Sequence, residues 1–251
     1  MFTLAICITF QSAVNTLNDY TDFVKGADTE DNTDDVNDAS IVYNHIDPRS
    51  ARNAGFAMIA IGFAIGAYVI ARTSFIALAF ALVGVAVLLL YSVARVPLSD
   101  TPFGELTSGI VMGGVITMAV AYVQTCIVDW MMLVYAIPAI TMIACIMLVN
   151  NTSDIEKDAQ AGRNTLAVKL GREKATVLLF SAMTAAAVVA AVVVCMLFPR
   201  GWFFLPVMAV SAFIPARMMY HNGITPSVRR FNMQGVGTVN VHVETTRRWR
   251  D

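Results

Sequence analysis

NTLNDYTDFVKGAD, residues Asn15–Asp28, stands at the end of a hydrophobic segment, and NNTSDIEKD, residues Asn150–Asp158, answers it much later in the chain. On a helix advancing about 100° per residue, Asn15, Asn18, Asp19 and Asp22 share an arc of about 100°, and Asn151, Asp154 and Asp158 one of about 60°. Each stretch therefore presents a face of carboxylates and amides. Glu156 and Lys157 fall off that face and read as solvated. Carboxylates beside hydrocarbon are costly unless paired or bound to a cation. Capping or solvation accounts for one such face about as readily as a site does, and for two on the same side of a membrane poorly. Oxygen donors without Cys or His favour a hard divalent cation, Mg²⁺ or Ca²⁺, over Zn²⁺.

The surroundings of these stretches set the fold class. Of the 251 residues, 57% are hydrophobic and only 14% charged, against about 25% charged in a soluble domain. Mean hydropathy is +0.64, and the charges cluster between long apolar runs. The chain reads as an all-α, polytopic transmembrane helix bundle. Seven apolar segments are long enough to span or nearly span: Met1–Leu17, Ala54–Ala71, Phe75–Ala94, Leu106–Ile127, Met131–Val149, Ala175–Phe198 and Trp202–Met219. The first lacks the charged start and cleavage site of a signal peptide and is kept as a helix. Residues 1–219 form one transmembrane domain, and 220–251 a polar, aperiodic tail.

The positive charges orient the bundle. Fifteen of the 17 Lys and Arg residues fall on one side, and only Arg72 and Arg200 on the other. The positive-inside rule puts both acidic stretches in the cytoplasm. Arg72–Ser74 and Val128–Trp130 are tight turns, whereas the two long loops carry the motifs, as functional loops do. The run Glu30–Asp38 reads as a solvated, partly mobile loop and lacks EF-hand spacing. Cys7, Cys126, Cys145 and Cys195 have no metal or disulfide spacing and read as small buried hydrophobes. His45, His221 and His242 are scattered. A net charge of −1 and the absence of a basic, aromatic-interleaved stripe give no nucleic-acid partner.

Two carboxylate faces converging on Mg²⁺ suit a substrate that carries its own phosphates. The cation would neutralise a diphosphate and turn it into a leaving group. Lys25 follows Asp22, Arg163 and Lys169 follow the second stretch, and Arg49 and Arg52 close the first loop, so all five are candidate diphosphate ligands. An apolar substrate tail would lie among the helices. An isoprenoid diphosphate is the most reactive lipid diphosphate, because its ionisation gives an allylic cation.

At these residues the chain resembles the UbiA superfamily of intramembrane prenyltransferases, and within it the 1,4-dihydroxy-2-naphthoate polyprenyltransferases of menaquinone synthesis. NDYTDFVKGAD is similar to that family's first Asp-rich motif through Asn18, Asp19, Asp22, Lys25, Gly26 and Asp28. NNTSDIEKDAQAGRNTLAVKLG is similar to the second through Asn151, Asp154, Asp158, Gly162, Arg163, Thr165, Leu166 and Gly171. GELTSGIVMGGVITMAVAYVQT, Gly104–Thr125, resembles the family between the motifs. Ser153 stands where the family usually carries Arg. DDVNDASIVYNHIDP departs from a shorter basic loop, with Arg49 and Arg52 available as substitutes. The resemblance covers most of residues 11–219 and implies a bundle of nine helices around a central cavity. One helix before the first span and one after the seventh are missing here, as a late start, a fragment or a frameshift would leave them.

The resemblance further implies transfer of a polyprenyl group from a polyprenyl diphosphate to 1,4-dihydroxy-2-naphthoate, with loss of CO₂. Asn15, Asn18, Asp19, Asp22, Asp154 and Asp158 would hold Mg²⁺ directly or through water, with Asn151 orienting that shell. Asp19, Asp22, Asp154 and Asp158 are the candidate catalytic residues. Lys25, Arg49, Arg52, Arg163 and Lys169 would bind diphosphate, and no residue stands out as a base. Other readings stay open: a sibling enzyme using 4-hydroxybenzoate, haem or a glycerol lipid, an inactive truncated member, or a cation-coupled transporter. Against the last, the acids sit at helix ends and no inverted repeat with broken helices is visible.

Overall fold

The structure, a computed structural model, describes residues 2–25, 40–92 and 94–240. Asp28, the acidic run Glu30–Asp38 and the last residues of the tail lie outside the described residues, as do the side chains of Asn18, Asp22 and Lys25. No strand occurs among the described residues. The helices used below are α1 (Phe2–Lys25), α2 (Pro48–Arg72), α3 (Phe75–Ser92) and α4 (Gly104–Thr125), then α5 (Ile137–Ser153), α6 (Ile155–Gln160) and α7 (Leu166–Leu170), and finally α8 (Arg172–Leu197), α9 (Leu205–Asn222) and α10 (Arg229–Asn240). Within the described residues, all seven apolar segments read from the sequence are helical over most of their length.

The chain is an integral membrane protein. Among the described residues, four helical stretches are long and apolar enough to cross a membrane: Pro48–Arg72, Gly104–Thr125, Arg172–Leu197 and Gly201–Asn222. Shorter apolar helices run over Phe75–Tyr91 and Ile137–Ser153. Large apolar side chains point outward from these elements, Phe75, Leu82, Met196 and Phe213 among them. In water such a surface would aggregate; against lipid it is solvated. The same fact corrects the cysteine reading. Cys145 is buried, but Cys126 and Cys195 are exposed, because hydropathy does not distinguish a lipid-facing position from a packed one.

Contacts divide the chain into two compact units, Met1–Leu78 with Val123–Cys126, and Ala79–Tyr122 with Ile127–Asp251. In the first unit α1 packs along α2. A Cβ on Gly55 would lie 2.7 Å from the Leu17 side chain, and one on Gly62 would lie 3.0 Å from the Phe10 ring. The Phe10 and Phe63 rings meet edge to face at 5.4 Å, and Phe2 meets Tyr68 at 5.3 Å. Residue numbers fall along one helix as they rise along the other, so the pair is antiparallel. The small residues Ala13, Gly55 and Gly62 let the backbones approach, as membrane helix packing requires. Asp47 caps α2, accepting from the Ser50 N–H at 3.0 Å and its hydroxyl at 2.9 Å, with Pro48 opening the helix.

In the second unit α5 is central, packing against α4, α8 and α10. Its Met142, Cys145, Leu148 and Val149 join Leu179 and Met183 of α8, Met219 of α9 and Val236 of α10 in one core. α4 opens into a π-helical stretch over Gly109–Val115. A Cβ on Gly113 would sit 2.6 Å from Cα and N of Ile140, so glycine there permits near-backbone contact with α5. The tail reading is corrected here. Residues Arg229–Asn240 form a helix, with Asn232 and Val236 fully buried. Two of its inward positions, Arg229 and Asn232, are polar, so its period was hidden from a hydropathy reading.

Candidate functional site

In the first unit α1 continues past its apolar half through the first acidic stretch to Lys25, so Asn15–Asp22 lie on a helix as the spacing predicts. Asn15 is exposed and accepts from the Gln11 amide at 3.1 Å; Asp19 is half-buried. The antiparallel register sets Gly55 beside Leu17, and the first turns of α2, carrying Arg49 and Arg52, therefore run alongside the acidic end of α1. Arg49 is exposed, and Arg52 donates to Asn53 at 3.2 Å.

The second stretch differs from a single helical face. α5 ends at Ser153, and Asp154 takes φ −104°, ψ 21°, which breaks the helix before α6 begins at Ile155. The one-helix projection of Asn151, Asp154 and Asp158 is corrected accordingly. Asn151, Thr152 and Ser153 are buried at the end of α5, and Asp158 is buried on α6. Glu156 and Lys157 are exposed, as expected.

Each carboxylate of this motif meets one guanidinium. Arg163 donates through Nη1 to Oδ1 of Asp158 at 2.6 Å and through Nε to Oδ1 of Asp100 at 2.7 Å, while its Nη2 reaches the Ser99 carbonyl at 3.3 Å. Arg229 of α10 donates to Oδ2 of Asp154 at 2.5 Å. Arg172 donates to the carbonyls of Thr152 and Ile224 and grips both Glu156 oxygens, at 2.8 and 2.6 Å, tying the motif to the chain before α10. Asn151 donates to Oε1 of Glu105 at 2.9 Å, and both side chains are buried.

Burial pushes the Asp154 carboxyl up to about 6, with the charges of Lys157, Arg163 and Arg172 opposing that rise. Burial also raises Asp158, with Arg163 pulling it back. Burial alone would lower the Arg163 pKa, but Asp158 and Asp100 outweigh it and raise it further. Arg172 holds Glu156 below the ordinary carboxylate range.

The donor set suits a hard cation. Oδ2 of Asp158 is buried and has no hydrogen-bond partner, and the same holds for Oε2 of Glu105. A buried carboxylate oxygen without a donor is unfavourable until a cation or a ligand donor meets it. Among the described residues, no three His, Cys, Asp or Glu side chains gather closely enough to hold a metal alone. Mg²⁺ needs no such cage, because it keeps waters and takes substrate phosphates as ligands. Beside this network, Arg95, Asp100, Thr101, Gly162 and Lys169 line an open cleft of about 480 Å³.

Sequence reasoning missed Asp100, Glu105, Arg172 and Arg229. Asp100, Glu105 and Arg229 meet the motif across 63, 46 and 75 residues, and Arg172 reaches Glu156 across 16, so no helical spacing marks any of them.

The sequence profile of the UbiA prenyltransferase family matches residues 1–231. The 1,4-dihydroxy-2-naphthoate octaprenyltransferase of Bacillus subtilis is 32% identical over 219 residues, covering 84% of this chain and 70% of its own. The protein of that name from Mycobacterium tuberculosis is 30% identical over 172 residues, 68% of this chain and 58% of its own. The one from Haemophilus influenzae is 29% identical over 180 residues, 69% of this chain and 58% of its own. The chain thus spans more than half, but under two thirds, of the last two relatives.

Proposed function

Because the chain belongs to the UbiA prenyltransferase family, we propose that it transfers a polyprenyl group from an isoprenoid diphosphate to 1,4-dihydroxy-2-naphthoate. The C–O bond to diphosphate breaks, a bond forms to the ring carbon bearing the carboxylate, and that carboxylate leaves as CO₂. The names of the similar bacterial proteins support this acceptor. The observation that carries the reading is Asp158, a buried carboxylate pinned at one oxygen by Arg163 with its other oxygen unbonded.

In the first unit Asp19 and Asp22, with Asn15 and Asn18, would offer oxygen donors to Mg²⁺ directly or through water; in the second Asp154 and Asp158 would do so, with Asn151 orienting them. The chemistry Mg²⁺ would supply there is neutralisation of the diphosphate, which would make it a leaving group. Lys25, Arg49 and Arg52 of the first unit, and Arg163 and Lys169 of the second, are the candidate ligands for the diphosphate oxygens, and the cleft at Lys169 is consistent with that residue's part. The apolar helices keep water from the allylic cation that forms. Both motifs lie on the cytoplasmic face, where the positive charges concentrate.

The test uses membranes containing the chain, 1,4-dihydroxy-2-naphthoate, a polyprenyl diphosphate and Mg²⁺, followed by mass and by CO₂ release, with an EDTA control. Mg²⁺-dependent prenylated naphthoquinol with CO₂ is the expected result. Transfer only to another aromatic ring would overturn the acceptor. No transfer to any aromatic acceptor would overturn the enzyme reading.

A further inference from the structure

We propose that Asp100 is a positioning residue for the second acidic motif: it fixes Arg163 so that Arg163 meets Asp158 at a single oxygen and leaves the other for the ligand. The inference rests on the functional reading above and deepens its account of the site. Arginine and carboxylate ordinarily pair as two forks, with both carboxylate oxygens used. Asp158 and Arg163 lie only five residues apart, and such a fork would close both oxygens of Asp158. The structure shows a different division of the guanidinium. Nε goes to Asp100 and Nη2 to the Ser99 carbonyl, so Asp158 receives Nη1 alone. Its Oδ2 is left buried and unbonded.

The loop carrying Asp100 is built to hold that position. Asp100 ends a single 3₁₀ turn, Leu98–Asp100, with its N–H on the Pro97 carbonyl at 3.0 Å. Its own carbonyl accepts from the Asn164 N–H at 2.8 Å, which ties this loop to the residue after Arg163. Gly104 closes the loop so tightly that a Cβ there would lie 2.9 Å from the Leu98 carbonyl. Charge follows the same logic. An isolated Arg163–Asp158 pair would be neutral and offer little to a cation. With Asp100 added, two carboxylates share one guanidinium, and the cluster keeps one net negative charge.

The test is made on the full chain in detergent, by calorimetric titration of Mg²⁺ with inorganic diphosphate, alongside prenyl transfer as a function of Mg²⁺. Asp100→Ala should let Arg163 turn its fork onto Asp158. Mg²⁺–diphosphate affinity then falls about tenfold or more, as for other residues that orient a metal ligand. The Mg²⁺ concentration for half-maximal transfer should rise in step while kcat at saturating Mg²⁺ changes little. Asp100→Glu should restore most of the affinity. Should Asp100→Ala fold poorly, Asp100→Asn keeps the shape without the charge and should show the same weakening. Wild-type binding that Asp100→Ala and Asp100→Asn both reproduce would overturn the role of Asp100 alone. A wild-type chain that binds no Mg²⁺–diphosphate would overturn the functional reading and this inference together.

Discussion

Arg229→Met is the sharpest test of how the second motif is held. Arg229 and Asp154 keep only 23% and 14% of their side-chain surface exposed. Their charge centres lie about 4 Å apart, which at an effective dielectric near 20 corresponds to about 4 kcal/mol of attraction. Methionine keeps the apolar stem and removes the charge, leaving Asp154 desolvated without its partner. Removing one member of a buried pair costs about 3–5 kcal/mol. The remaining exposure lets water reach Asp154, so the expected loss is about 2–4 kcal/mol. Asp154→Asn in the same chain removes the stranded charge. The double variant should therefore recover about 1–2 kcal/mol relative to the sum of the singles. The assay is denaturant unfolding in mixed micelles followed by tryptophan fluorescence, since Trp130 and Trp202 both lie in this unit. A single variant within about 0.5 kcal/mol of wild type, or strict additivity in the cycle, would refute the reasoning.

Gly113→Ala places a Cβ 2.6 Å from Ile140 backbone atoms and should cost about 1–3 kcal/mol in the same unfolding assay. Gly114→Ala meets side-chain atoms alone, of Ile140 at 3.2 Å and Leu133 at 3.6 Å, and should unfold close to wild type. Asn151→Leu removes the one donor seen, among the described residues, on the buried Glu105 carboxylate and should lower stability by about 1–3 kcal/mol. Asp158→Asn leaves Arg163 paired with Asp100, so it should retain the fold with a small fall in unfolding midpoint and lose Mg²⁺-dependent prenyl transfer.

The helical frame was legible because spanning runs of apolar residues leave little choice in hydrocarbon: the backbone must satisfy itself. Phe75–Ala94 and Ala175–Phe198, as read, differ from the observed Phe75–Ser92 and Arg172–Leu197 by a few residues. The helical phase of Asn15–Asp22 was legible for the same reason. Two features were not. The break at Asp154 leaves no composition mark, since neither Gly nor Pro stands nearby; it is held by Arg172 on the Thr152 carbonyl and Arg229 on the carboxylate. Helix α10 was hidden because its buried face carries Arg229 and Asn232, whose partners are Asp154 and the Gly223 carbonyl. In each case a tertiary contact decides the local structure.

The guanidinium pairs also explain why so acidic a motif is tolerated here. An unpaired carboxylate at the edge of an apolar bundle would protonate or draw in water. Asp154, Glu156 and Asp158 each receive one arginine, from α10, the start of α8 and the segment before α7. Lysine could neutralise the same charges, but as a point donor on a flexible stem it could not hold Asp100, Ser99 and Asp158 from one plane. Arg163 does so, and it spends a single N–H on the acid of the motif. The arrangement stabilises the fold while Asp158 keeps an oxygen for a cation. A carboxylate fully satisfied by the protein would be more stable and would have nothing left to bind with.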